Sequence, residues 1–155
     1  MTAVEVGIGS FDELVDGAAA YRNVDGTELC VVRIGAEVHA VGDVCTHQDI
    51  SLSEGEVDVD TCHIECWKHG SSFSLRTGEA VGAPAFDPIA CWKVERRGDR
   101  FVVREKTPPA TRPMHALAAG EPARIVIVGG GAAGFAAAEM ARRRGWQGQI
   151  TVLSA

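Results

Sequence analysis

Two short blocks, Cys45-Thr46-His47 and Cys66-Trp67-Lys68-His69, constrain this 155-residue chain more than any other feature. Each supplies one thiol and one imidazole in the same order, with residues 48–65 between them. Zinc ligands usually come from knuckles with two to four intervening residues, which let both side chains wrap one ion. The single residue between Cys45 and His47 suits an extended loop that presents both along one side. In that geometry they reach two different metal atoms more naturally than they chelate one. A [2Fe–2S] rhomb offers two such atoms, with two Cys on one iron and two His on the other. A zinc site is the next alternative. Ordinary buried cysteines and ordinary histidines are the plain reading of any one of the four taken alone.

On the iron–sulfur reading Cys45 and Cys66 bind one iron, and His47 and His69 the other. Two ferric ions, two sulfides and two thiolates are neutral, whereas four thiolates would leave a net negative cluster. Adding an electron to the neutral form is easier, so His ligation raises the potential relative to an all-Cys ferredoxin. Each imidazole also keeps a second ring nitrogen that can take a proton on reduction.

The stretches Cys45-Thr46-His47-Gln48-Asp49-Ile50-Ser51-Leu52-Ser53-Glu54-Gly55 and His69-Gly70-Ser71-Ser72-Phe73-Ser74-Leu75-Arg76-Thr77-Gly78 resemble the two cluster loops of bacterial Rieske ferredoxins. With the flanking strands, the resemblance spans roughly residues 1–107. It implies a mainly β chain, a Rieske-type antiparallel β domain with two cluster-binding loops, working in one-electron transfer. High-potential members of that family carry an extra Cys in each loop, forming a disulfide brace. Ile50 and Lys68 stand at those places here. Those members also place a Ser and a Tyr whose hydroxyls donate to the cluster sulfurs. Ser71 matches the first, and Phe73 has no hydroxyl for the second. Losing a donor destabilises the more negative reduced state most, so a low potential is expected.

The remaining cysteines need no metal. Cys30 lies in the apolar run Leu29-Cys30-Val31-Val32 and Cys91 in Ile89-Ala90-Cys91-Trp92, and both read as core. Cys62, four residues before Cys66, is surplus to a motif that is already complete. Five cysteines, an odd number, argue against a secreted disulfide framework. His39 and His63 flank strands and are expected to face solvent, and His115 lies in a linker.

Charge is uneven. Residues 1–107 hold nineteen acids and ten bases, and residues 108–155 carry a net +3. Asp49, Glu54, Glu56, Asp58, Asp60 and Glu65 fall in a stretch with no Lys or Arg. This stretch reads either as a solvated loop or as an acidic collar that steers a basic redox partner. The same balance disfavours nucleic-acid binding. No segment approaches the roughly 18 apolar residues of a membrane span, and no signal peptide stands at the N-terminus. A cytoplasmic protein is expected.

Alternation predicts strands at Thr27–Ile34 and Glu37–Val41 joined at Gly35-Ala36, with a turn at Asp25-Gly26 before them. It also predicts a hairpin of Trp92–Glu95 and Phe101–Arg104 across residues 96–100, and a turn at Thr77-Gly78. Ser10 with Glu13 three positions on predicts one helical turn.

After Lys106 the composition shifts, and residues 108–123 read as a semi-extended Pro/Ala linker. Arg124–Val128 then predicts a strand, Gly129-Gly130-Gly131-Ala132-Ala133-Gly134 a phosphate-binding turn, Phe135–Arg144 a helix ended by Gly145, and Gln149–Leu153 a second strand. In a dinucleotide-binding fold Gly129 permits the tight turn, Gly131 the close approach to a pyrophosphate, and Gly134 helix–strand packing. Residues 124–155 are accordingly read as the first β-α-β unit of a truncated Rossmann domain, too small to hold FAD alone. The combination resembles a Rieske domain fused to an FAD-dependent, apoptosis-inducing-factor-like or ferredoxin-reductase-like oxidoreductase. That resemblance implies NAD(P)H reducing FAD in the complete parent, and an in-chain flavin domain as partner to the cluster. The alternative is a ferredoxin-like component serving a separate oxygenase or nitrite reductase. No unused two-His, one-carboxylate set points to an oxygenase centre in the chain itself.

Overall fold

The computed structural model describes residues 6–108 and 123–154. They fall into two compact units, one within residues 1–110 and one within residues 111–155.

The first unit is built from two antiparallel sheets. The larger has the order β1-β10-β9-β4-β3-β2. It comprises β1 (Val6–Ser10), β2 (Ala19–Val24), β3 (Thr27–Ile34), β4 (Glu37–Gly42), β9 (Cys91–Arg97) and β10 (Arg100–Thr107). The edge strands approach one another, and the Arg22 guanidinium of β2 donates to the Ile8 carbonyl of β1 at 2.9 Å. The smaller sheet runs β5 (Glu56–Asp58), β6 (His63–Glu65), β7 (Ser72–Ser74) and β8 (Ala80–Gly82) in sequence order.

β3 shows why its apolar run is continuous rather than alternating. Leu29 and Val31 enter one core with Ile8, Leu14, Ala40, Phe101 and Val103, lining the inner face of the larger sheet. Cys30 and Val32 point the other way, into a second core with Val41, Cys91, Leu52, Ile64, Phe73 and Leu75. A strand buried on both faces needs apolar residues at every position. The second core joins the two sheets, and it also contains Cys45 and Cys66.

The predicted hairpins form. β3 and β4 pair with Ile34 opposite Glu37, and β9 and β10 pair with Arg97 opposite Arg100. The expected helical turn at Ser10 is a hydrogen-bonded turn only. Leu14 N donates to Ser10 O and Ser10 N to Glu13 Oε2, but β1 claims Ser10 as a strand residue. His39 does not face solvent as expected. Its side chain is 12% exposed, with Nε2 3.6 Å from Cys62 Sγ, because β4 is covered by the second sheet. The segment around residues 56–62 is a β5–β6 hairpin whose turn holds Cys62 at φ +59.

In the second unit β11 (Arg124–Val128) and β12 (Gln149–Leu153) pair in parallel and are joined through α1 (Ala132–Arg143). The helix begins three residues before the predicted Phe135, because Gly131 is its N-cap. It stops at Arg143, and Gly145 at φ +91 turns the chain away. The predicted linker at 108–123 lies almost wholly outside the described residues.

Two glycines give a test of what holds the first unit together. Gly78 sits at φ +73 and a Cβ there would lie 2.0 Å from the Ile89 carbonyl oxygen, whereas Gly98 at φ +67 faces open space. Gly78→Ala therefore incurs backbone strain of about 1–3 kcal/mol plus a steric clash, and Gly98→Ala only the strain. Thermal unfolding should show Gly78→Ala lowering Tm by on the order of 10 °C, well beyond Gly98→Ala.

Candidate metal centre

The first loop leaves β4 at Gly42 and is closed on itself by backbone hydrogen bonds. Cys45 N donates to Ile50 O at 2.9 Å, and Leu52 N to Asp43 O at 2.6 Å. Val44 and Ser51 form an antiparallel bridge between the two arms. The second loop lies between β6 and β7. Cys66 N donates to Ser71 O at 2.8 Å and Gly70 N to Cys66 O at 2.9 Å, with Gly70 at φ +73. Both loops thus satisfy their own polar backbone, which lets their cysteines enter an apolar core at low cost.

The predicted ligands separate by depth. Cys45 and Cys66 are each 1% exposed and belong to the core between the sheets. His47 and His69 are exposed, and their rings meet edge to face with centroids 4.9 Å apart and planes at 89°. The structure therefore brings residues from two distant loops to one tip, thiols inward and imidazoles outward. Among the described residues no three His, Cys, Asp or Glu side chains converge on one point. Two buried thiols and two exposed imidazoles in mutual contact are the donor types that a two-iron cluster with two Cys and two His would take. The donor set fits a [2Fe–2S] cluster better than a tetrahedral zinc ion.

Sequence reading missed the segment 83–90, which buttresses both loops. Thr46 Oγ1 donates to Asp87 O at 2.6 Å, and Ala85 N donates to Ser71 Oγ at 3.1 Å. Ala85 and Ile89 are buried beneath it. The contact to Ser71 uses the serine's oxygen as acceptor, which leaves its hydroxyl hydrogen free to donate elsewhere. Ser71 and Phe73 are both fully buried. The sequence carried little signal for the strap, since Ala-Pro-Ala-Phe-Asp-Pro reads as an ordinary loop. The five cysteines are all free, so no disulfide braces the loops. The acids Asp49, Glu54, Glu56, Asp58, Asp60 and Glu65 are all exposed, as is Lys68. Trp67, next to Cys66, is 57% exposed, and Val44 is exposed on the other loop.

The comparisons agree with this geometry. The profile of the Rieske [2Fe-2S] domain matches residues 5–93. The ferredoxin CarAc of Metapseudomonas resinovorans is 39% identical over 86 residues, covering 55% of this chain and 78% of that protein. The 3-phenylpropionate/cinnamic acid dioxygenase ferredoxin subunit of Escherichia coli (strain K12) is 37% identical over 75 residues, covering 48% of this chain and 70% of its own. Among solved structures, the ferredoxin of carbazole 1,9a-dioxygenase from Nocardioides aromaticivorans IC177 superimposes with a TM-score of 0.64 at 31% identity. That match covers 65% of this chain and 97% of that ferredoxin. The chain belongs to the Rieske [2Fe-2S] family. These matches leave the β-α-β unit and its glycines untouched, so FAD binding stands outside them.

Cys30 and Cys91 lie in the same core as Cys45 and Cys66. Burial, reinforced by the Asp43 charge, pushes the Cys30 thiol up to about 12, and burial pushes Cys91 up to about 11, from an ordinary 9.0. The folded state favours the neutral thiols, so their contribution to stability is intact below about pH 9. It is lost as pH rises toward 11–12. At pH 8 the thiolate fraction is at most about one in a thousand. Brief iodoacetamide treatment of the native protein should leave both unmodified by peptide mass spectrometry, and denaturation should expose both.

Proposed function

We propose that the first unit is the electron-carrying part of a Rieske ferredoxin component, with Cys45, His47, Cys66 and His69 as the cluster ligands. The observation that carries this reading is the split by depth at one tip: two buried thiols and two exposed, mutually contacting imidazoles. Bound there, a [2Fe–2S] cluster supplies one-electron transfer. The thiolates of Cys45 and Cys66 hold it from the core side, where water is excluded. His47 and His69 present the solvent edge, the shortest route for an electron to leave the chain. Phe73 withholds a hydroxyl from the sulfur side, and exposed Asp49 and Glu65, each close in sequence to a ligand, add negative charge, both favouring the oxidised state.

The partner is another redox protein with a basic contact surface, reached through the acidic exposed face around the tip. Relatives at 37–39% identity are ferredoxins, one of them a named dioxygenase subunit, which supports an oxygenase system as the electron's destination. The likeness to nitrite reductase small subunits, at 19–20% identity, carries the fold alone.

A second reading, a flavoprotein whose FAD feeds the cluster, has its own support in residues 123–154. A Cβ on Gly134 would lie 1.9 Å from the Gly129 carbonyl, so helix and glycine turn meet too closely for any side chain. Gly129 takes φ +111, and a Cβ on Gly131 would meet nothing within 4 Å, leaving the helix start open to a ligand. These are the roles expected of Gly129, Gly131 and Gly134 at a pyrophosphate. FAD would be held there through backbone amides of the turn.

The Rieske ferredoxin reading is tested by cluster content and spectroscopy, by reduction potential and by the salt dependence of electron delivery. Anaerobically purified protein should contain about two iron and two acid-labile sulfide per chain, with a rhombic paramagnetic signal on reduction. Zinc without sulfide refutes the proposal. His47→Ala or His69→Ala should abolish that signal. Phe73→Tyr should raise the reduction potential, and an unchanged potential shows that residue 73 does not tune the cluster. Electron delivery to a basic acceptor protein should slow by roughly tenfold or more between low and physiological salt. A rate indifferent to salt removes the steering role of the acidic face.

A further inference from the structure

The first cluster loop has no disulfide brace, yet it must hold Cys45 and His47 in fixed register. Asp43 stands at its base. It is 2% exposed, one of only two buried polar side chains among the described residues. Its Oδ2 accepts from Ser51 Oγ at 2.5 Å and its Oδ1 from Ser53 N at 2.8 Å. Its own carbonyl accepts from Leu52 N, and its own N–H donates to Glu28 O at 3.1 Å. Every polar atom of Asp43 is therefore tied either to the returning arm of the loop or to β3. Ser51 Oγ also lies 2.8 Å from Ser53 Oγ, which closes the arrangement into a ring. Among the described residues no Lys or Arg forms an ion pair with Asp43, so hydrogen bonds alone balance its charge. At 2% exposure the carboxylate has little direct contact with water, so its field is less screened than that of an exposed acid. Cys30 already registers it: the Asp43 charge is one of two causes raising that thiol, and Cys30 shares its core with Cys45 and Cys66.

We infer that Asp43 is a positioning residue for the cluster. Its carboxylate clamps the two arms of the first loop in place of the missing disulfide, and its buried charge holds the reduction potential down. The inference rests on the ligand assignment proposed above. It differs from the acidic-collar effect because Asp43 is shielded from salt, while Asp49 and Glu54 are exposed.

The test uses the full chain with its cluster. Asp43→Asn removes the charge at nearly constant shape. It should raise the reduction potential at full cluster occupancy, and the shift should persist from about 0.05 to 0.5 M salt. Ser51→Ala keeps the charge but removes one clamp bond, and should speed iron loss to a chelator several-fold with an unchanged circular dichroism spectrum. A purely structural role would lower thermal stability in both variants and leave the potential unmoved. An Asp43→Asn potential equal to that of the parent, or a shift abolished by salt, overturns the charge effect. An iron-loss rate unchanged in Ser51→Ala overturns the clamp, and this arm stands even where Asp43→Asn fails to retain iron. Absence of iron and sulfide from the unsubstituted protein would instead refute the cluster assignment itself.

Discussion

The burial of two thiols on the same side of two different loops is the constraint on which the first unit depends. Cys45 and Cys66 reach a core that is already shared by both sheets, so each loop has to carry its backbone to the edge of an apolar interior. An unpaired N–H or C=O there would cost on the order of 1–3 kcal/mol. The chain meets this by closing each loop internally, Cys45 N on Ile50 O and Cys66 N on Ser71 O. The small sheet exists to complete that core from the far side. Its Ile64 and Phe73 are fully buried against Cys30, Val32 and Val41 of the large sheet. Segment 83–90 then closes the tip, holding one loop through Thr46 and the other through Ser71.

What could be read from the sequence followed the range of the interaction. Tight turns are local, so Gly35-Ala36 and the residues 96–100 announced their hairpins, and the β-α-β order was visible from the spacing of glycines and apolar runs. The pairing of Cys–His blocks was legible because metal chemistry restricts spacing so strongly. The strands of the small sheet were not legible, being three residues each, too short for any periodicity to register. His39 was misplaced for the same reason. Its neighbour Cys62 arrives from that unseen sheet, and nothing local to β4 forecasts the cover. Asp43 escaped notice because a carboxylate before a loop looks like any solvated acid until its partners, eight and ten residues on, are seen to close over it.

Electrostatics in the first unit operate at two depths. At the surface, exposed carboxylates such as Asp49 and Glu65 are screened within about a Debye length. Such charges govern encounter with a partner more than the energy of the site. Inside, Asp43 and Ser71 are the buried polar side chains among the described residues, and Phe73 is fully buried with no hydroxyl to donate. On the inference drawn for Asp43, a buried charge held by hydrogen bonds would act on a bound cluster with less dependence on ionic strength than the surface carboxylates.

The second unit poses the opposite problem. Ile125, Ile127 and Ile150 are half-buried, while Val126, Val128 and Leu153 on the alternate positions are exposed, Val128 by 84%. Parallel strands are stable in proteins when both faces are covered, since their crossover helices lie on the sheet and their residues are apolar on either side. A single helix covers one face of β11 and β12. The tight Gly134–Gly129 contact sets that helix close to the strands, and a merely connecting helix would not need so close an approach. The helix starts at Ala132 with Gly131 as its N-cap and no side-chain cap, so its first amides lack intrahelical partners. The close Gly134–Gly129 approach is the feature on which the flavin reading proposed above rests.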